Sequence, residues 1–352
     1  MATLRYGCAL AMIFWLTACA PQAQLPVLNT TAVDEEGRRQ QDMAFKEHLA
    51  RLDRLDRVAW AIRAKNVDLC GENTAYRTGF ALGVLGDLPK EMREAAARNA
   101  GMKEQPTVYL LAEGGPAHTA GMRRGDVLVA VDGVDVPTKK AADEALNKAM
   151  EPGKAGNPVG VAIERDGQRQ NLTLLPQRIC AYDTLLSNNN QVNAFADGKR
   201  IVVYSGMLKF VRTDHELAAI LGHEMAHNNQ GHIKAKQGNA LLGALLVDLP
   251  IILLTGSNPQ LGSQIGAQAY SQEFESEADY VGLYFTARAG YDYADVADIW
   301  RRMAVENPGA ITMGSTHPST SSRFVALEAA RDEIKGKLAE GKDLRPEMKE
   351  KK

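Results

Sequence analysis

The chain reads as an α+β protein: a mainly helical domain with a small sheet, plus an inserted module built from short strands. Two observations predict this. The run Thr213–Leu221 looks helical, and Phe324, Leu327, Ile334 and Leu338 keep helical spacing near the end. Between Cys70 and Cys180, short alternating runs are separated by glycine-bearing turns, which is a strand signature. At 352 residues and 45% hydrophobic, the chain can bury two cores.

At the amino terminus, Arg5 precedes an almost wholly apolar stretch of eleven residues, Cys8 to Ala18. A membrane-spanning helix needs about twenty. The stretch has the length and flanks of a secretory signal's hydrophobic region, so residues 1–18 are read as an export signal. Residues 19–34, with Pro21 and Pro26 and no periodicity, read as a tether. Within residues 35–70, Phe45, Leu49, Leu52, Leu55, Ala59 and Ile62 keep helical spacing. That face is expected to pack on the helical domain or to bind a partner.

The inserted module is assigned residues 71–179. Val108–Leu111 reads as a strand, Ala117–Ala120 as a short helix, and Gly125-Asp126 opens the strand Val127–Val131. Asp132-Gly133 is a hairpin turn. Ala141–Met150 is helical, and Val159–Glu164 and Gln170–Leu174 close the module around Asp166-Gly167. The helical domain is assigned residues 180–335, with Asn188-Asn189-Asn190 as a turn and Arg200–Tyr204 as a strand. Ala240–Leu254 is strongly apolar but interrupted by Asp248 and Pro250, and too short to span a membrane. Two readings stand for it, a buried core segment or a mobile apolar flap. Phe324, Leu327, Ile334 and Leu338 keep helical spacing near the end. The lysine- and glutamate-rich tail, 336–352, is expected to fray.

His223-Glu224-Met225-Ala226-His227 carries the chemistry. Thr213 with Glu216 makes a capping-box start for its helix, and Gly231 a stop. Residues four apart share a helical face, so the two imidazoles can grip one metal ion with Glu224 beside it. Neutral imidazole suits zinc, and one ion per chain is implied. The metal would lower the pKa of a water from about 15.7 to near 7, and the carboxylate would take its proton. His215 and His232, which flank the motif, read as surface histidines; His48 and His118 have no partners in view.

Four segments together carry a family resemblance: VYSGML before the motif helix, HEMAH on it, ESEAD at 275–279 and THPSTSSRF at 316–324. They resemble the HtpX-like and CAAX-prenyl-protease-like zinc metallopeptidases, most closely the periplasmic BepA-type branch, over about half the chain. The resemblance implies a zincin-type domain with Glu275 as third zinc ligand. Asp279, one turn on, would orient a ligating histidine from behind. Glu277 points elsewhere on a helix, which argues independently against it as the ligand. The match also brings His317 near the metal, as an oxyanion donor or as a self-inhibitory ligand in the open position. Arg323 would brace the site, bind a substrate carboxylate or form a structural ion pair. The strand 200–204 is placed beside the cleft, where extended substrate could pair with its edge. Misfolded or incompletely assembled envelope proteins are the implied substrates. The alternative is an assembly factor whose proteolysis is secondary.

Leu16-Thr17-Ala18-Cys19 resembles the bacterial lipoprotein box, which implies a lipidated Cys19 as first mature residue. Ala20 follows where an aspartate would suggest inner-membrane retention, so the resemblance implies a membrane anchor on the periplasmic face of the outer membrane. An ordinary cleaved signal is the other reading. Of four cysteines, Cys8 leaves with the signal and Cys19 takes lipid. Cys70 and Cys180 remain, either as a disulfide in an oxidising compartment or as two buried thiols. A disulfide there would contribute about 4 to 5 kcal/mol on the chain-entropy account. The module between them resembles a PDZ domain of periplasmic proteases, with Thr78–Gly83 where a carboxylate-binding loop belongs. It would take chain ends by strand addition, or serve as a spacer or lid. Net charge is −2, or −3 once Arg5 leaves, so no nucleic-acid partner is implied.

Overall fold

The computed structural model describes residues 26–151, 153–154, 156–249, 252–253, 271–306 and 321–349. The architecture is α+β. Helix α1 (Thr30–Lys65) buries Phe45, Leu49, Leu55, Val58, Ala59, Trp60 and Ile62, most of them at helical spacing. Its apolar face serves two cores. Phe45 and Leu49 pack with Ala95, Ala96 and Ala100 of α2 (Lys90–Ala100), which belongs to the inserted module. Leu55, Val58, Ala59 and Ile62 enter the core of the helical domain. The sequence pattern showed a buried face; it did not show that two modules share it.

The module stands on a two-stranded stem. Strand β1 (Thr74–Arg77) pairs antiparallel with the returning segment Gln177–Cys180, and Cys70 is joined to Cys180 by a disulfide. Beyond the stem lie β2 (Phe80–Gly83), β3 (Thr107–Leu111), α3 (Pro116–Thr119), β4 (Val127–Val131), β5 (Val134–Asp135), α4 (Lys139–Ala149), β6 (Val159–Arg165) and β7 (Gln168–Leu174). The sheet runs β2-β3-β4-β6-β7, with β5 beside β4. Asp132 and Gly133 have φ of 47° and 79°, and Asp166 and Gly167 have 52° and 74°. Paired positive φ values suit the tight hairpins the sequence signalled, because that turn twist matches the strands. Leu82, Val108, Leu128, Val131, Ile163 and Leu174 fill the module's core. At the expected carboxylate loop, Phe80–Gly83 is itself strand β2, an outer strand of the sheet. Gly79 precedes it with φ of 80°, close against Trp60 of α1 and Pro116.

After β8 (Gln177–Cys180) the chain forms β9 (Asp183–Ser187), β10 (Ala194–Ala196) and β11 (Arg200–Tyr204), in the order β10-β11-β9. This corrects one expectation. Strand β11 is central: antiparallel to β10 and parallel to β9 along its length. Its backbone groups are already paired on both sides, so a substrate strand would have to add to an outer strand.

Six α-helices follow in the described residues: α5 (Ser205–Phe210), α6 (Asp214–Asn229), α7 (His232–Gly243, continued by a π-helical turn, Ala244–Asp248), α8 (Ser271–Arg288), α9 (Val296–Glu306) and α10 (Ser321–Ala339). Thr213 caps α6 by accepting from Glu216 N, and Glu216 Oε2 accepts from Arg212 N, one residue before the cap. Arg54 and Arg57 of α1 bond Asp214 in the first turn of α6, at 2.9 and 2.6 Å. Helices α6 and α8 meet backbone to backbone: a Cβ on Gly222 would lie 2.5 Å from Gly282 O, and one on Gly282 would lie 2.7 Å from His223 N.

Two further expectations change. Of the apolar segment, Leu241, Leu242, Leu245, Leu246, Leu249 and Leu253 are exposed, while Asp248 is buried. The buried-core reading therefore fails for these residues: α7 turns His232 inward and its leucines outward. The tail does not fray at Lys335 either. Helix α10 runs to Ala339, Leu344 packs on the core, and Arg345 and Lys337 pair with Asp68 and Glu347. Among the described residues no helix is long and apolar enough to cross a membrane.

Candidate metal centre

Helix α6 places His223 and His227 one turn apart, and α8 places Glu275 and Asp279 one turn apart. The glycine contact between these helices brings the two pairs together. His223 Nε2 lies 3.1 Å from His227 Nε2; His223 Nε2 lies 3.4 Å from Glu275 Oε2, and His227 Nε2 lies 3.4 Å from Glu275 Oε1. Glu224 is buried on the same helix between the two histidines in sequence. Three donors bonded to one zinc at about 2.0 to 2.1 Å in a tetrahedron would stand about 3.3 Å apart. The His223–His227 separation is close to that edge, each histidine is 3.4 Å from one or the other Glu275 oxygen, and the donor set of two nitrogens and one carboxylate suits zinc.

The charge balance points the same way. The buried Arg323 guanidinium pairs with Asp279 at 2.7 Å and with Glu275 at 3.3 Å, within a cluster that also holds the buried Glu224 carboxylate. Burial opposes a charged His223, but hydrogen bonds and charges from Asp279 and Glu275 outweigh it and push the ring up to about 9. A metal cation at the imidazole nitrogens would answer the same negative field. Burial raises the Asp279 carboxyl too, yet the charge and hydrogen bonds of Arg323 win and hold it below the usual range.

Each histidine is gripped from behind at Nδ1. For His223 the partner is Asp279 Oδ1 at 3.0 Å. Asp279 in turn accepts two bonds from Arg323, at 2.7 and 2.8 Å. Arg323 also reaches Glu275 Oε2 at 3.3 Å and lies over the Trp300 ring, which packs beside His223. Of the three sequence readings for Arg323, this geometry fits both a structural ion pair and a brace, with its fork facing the site's own carboxylates. For His227 the partner is His232 Nδ1 at 3.0 Å, and His232 Nε2 meets Glu277 Oε2 at 3.0 Å. The sequence reading of His232 as a surface histidine is thus corrected: it is buried, since the left-handed Gly231 (φ 73°) ends α6 and turns the next residue back. Glu277 does point away from the donor cluster, but toward His232. Lys236 Nζ approaches Glu275 Oε1 to 3.8 Å.

The structure therefore brings His223, Glu224, His227, Glu275, Asp279 and Arg323 into one cluster, and joins Cys70 to Cys180 at the module's stem. His317 and Cys19 lie outside the described residues. His232, Glu277, Trp300 and Lys236 were not legible as site residues. The one available signal was a histidine directly after a helix-ending glycine, five residues past the motif.

Two histidines on one helix and a glutamate on a second define a zincin-type metal centre. Residues 173–331 match the family model for peptidase family M48, and residues 107–153 match that for the PDZ domain. The helical domain thus matches peptidase family M48 and the inserted module matches the PDZ domain. A beta-barrel assembly-enhancing protease of Yersinia pestis is 32% identical over 40% of this chain and 32% of its own. The mitochondrial metalloendopeptidase OMA1 of Arabidopsis thaliana is 31% identical over 43% of this chain and 32% of its own. Its human counterpart is 29% identical over 39% of this chain and 30% of its own. The chain therefore spans about a third of the length of these relatives.

Proposed function

We propose that this chain is a zinc-dependent endopeptidase of the bacterial envelope that cleaves misfolded or unassembled proteins. The observation that carries it is the buried triad His223, His227 and Glu275, spaced as donors to one ion, with Glu224 beside it on α6. Zinc held there would supply a Lewis acid that acidifies water and polarises a peptide carbonyl. Glu224 would take the proton of the attacking water and pass it to the leaving amine. Asp279 would fix the tautomer of His223, and Arg323 would hold Asp279 and Glu275 in place. The names of the relatives, two metalloendopeptidases and a beta-barrel assembly-enhancing protease, support both the reaction and the kind of substrate.

The envelope location rests on the apolar amino terminus ending in Leu16-Thr17-Ala18-Cys19 and on the Cys70–Cys180 disulfide, a bond that persists in oxidising compartments. We assign lipid to Cys19 and the outer membrane to the anchor. Polypeptide is the partner, with chain ends taken at β2 of the PDZ domain.

Metal analysis and peptide cleavage on the purified mature chain test the reading. His223→Ala, His227→Ala and Glu275→Ala should lose zinc. Glu224→Gln should keep zinc and lose cleavage by about two to four orders of magnitude, the range for a positioned acid–base group. Full zinc occupancy in Glu275→Ala, or ordinary turnover in Glu224→Gln, would sink the assignment. In the same assay His317→Ala separates its two readings: faster cleavage marks a latch and slower cleavage an oxyanion donor.

A further inference from the structure

His232 is the first residue of α7 and buried, although neither its place in the sequence nor the family motifs singled it out. Its ring stacks on Phe274, with centroids 4.7 Å apart and planes 18° from parallel. That stacking leaves the ring edge to make two contacts, one from each nitrogen: Nδ1 to His227 Nδ1 and Nε2 to Glu277 Oε2, both 3.0 Å.

Two facing Nδ1 atoms can share only one proton. If His227 gives its Nε2 lone pair to the metal, its own proton must sit on Nδ1 and point at His232. His232 Nδ1 is then the acceptor, so its proton sits on Nε2 and points at the Glu277 carboxylate. One arrangement of protons satisfies all three groups, and it is the arrangement that leaves His227 Nε2 bare for a cation. Asp279 and Arg323 do the equivalent for His223. The two histidines are thus oriented by two separate chains of polar contacts, one ending in a buried guanidinium and the other in a half-exposed carboxylate.

We propose that His232 and Glu277 are positioning residues for the metal centre, a relay that fixes the tautomer and ring angle of His227. The inference rests on the zinc reading above and adds to it a pair of residues outside the donor set. Because Glu277 is half-exposed on α8, its substitution leaves the core intact.

The test is zinc affinity by chelator competition, together with the visible spectrum of the cobalt-substituted protein, on the full mature chain. The set is wild type, His232→Leu, His232→Gln and Glu277→Gln. Loss of an outer partner weakens metal binding by about ten- to a hundredfold. His232→Leu should show such a loss and a changed cobalt spectrum. His232→Gln, whose amide can accept at one end and donate at the other, should recover most of both. Glu277→Gln should bind zinc more weakly than wild type while melting at the wild-type temperature without metal. Wild-type affinity and spectrum in both His232→Leu and Glu277→Gln would overturn the relay alone. A wild-type protein that took up no zinc would remove the metal reading itself.

Discussion

On α1, burial pushes the Asp56 carboxyl up to about 6; Arg63 lowers it only in part, and Asp53 adds to the rise. An unfolded aspartate titrates near about 3.9. Between those values the folded chain binds more protons than the unfolded one, so stability falls as pH rises through that window. The contribution is present below about pH 4 and gone above about pH 6. Asp56→Asn should therefore be more stable than wild type at pH 8 and match it near pH 4, as read by denaturant unfolding at both. Equal stability at pH 8 would show that water reaches the carboxylate in the native state. At the candidate metal centre the residue-scale logic runs the other way, because the buried Glu275 and Asp279 are answered by the Arg323 guanidinium.

Helices α6 and α8 act as one element, and two glycines set their separation. With Gly222 against Gly282 O and Gly282 against the His223 backbone, the axes approach as closely as backbones allow. Glu275, two turns from Gly282 on α8, reaches the histidines only because of that approach. Gly282→Ala would place a methyl 2.7 Å from His223 N, so α8 would have to move. A cost of about 1 to 3 kcal/mol is expected from overpacking, with weakened zinc uptake in the protein that still folds. Gly336→Ala is the control: nothing lies within 4 Å of its added methyl, so α10 should keep or gain stability. If Gly282→Ala bound zinc like wild type, the crossing would not be what sets the donor spacing.

For the whole molecule, the Cys70–Cys180 staple and α1 both tie the PDZ domain to the peptidase domain. The disulfide spans 110 residues of sequence at the foot of the β1–β8 stem. Helix α1 adds ties of its own: Arg63 bonds Cys180 O at 3.0 Å and Asp183 at 2.7 Å, and Asp53 pairs with Arg124 of the module. Reduction, or a Cys70→Ala/Cys180→Ala variant, should lower unfolding free energy by up to about 4 to 5 kcal/mol, measured by denaturant titration. Zinc stoichiometry in the folded variant should not change, since neither cysteine belongs to the donor set. A loss below about 1 kcal/mol would mean that α1 and the stem hold the module without it.

Much of this was readable in the chain before any fold was known, and for local reasons. Helical period puts His223 and His227 on one face, and glycine-bearing turns mark the hairpins of the module. Glu275 was legible only through a family motif, since 48 residues separate it from His227 and no local period links them. The remaining features depend on which elements meet. That His232 is buried behind His227, that β11 is flanked on both sides, that one face of α1 serves two cores, and that the leucines from 241 to 253 face outward all follow from packing between segments far apart in the chain. Hydrophobic period states that a face will be buried or a strand will pair; only the assembled fold, through distances between unlinked residues, states against what.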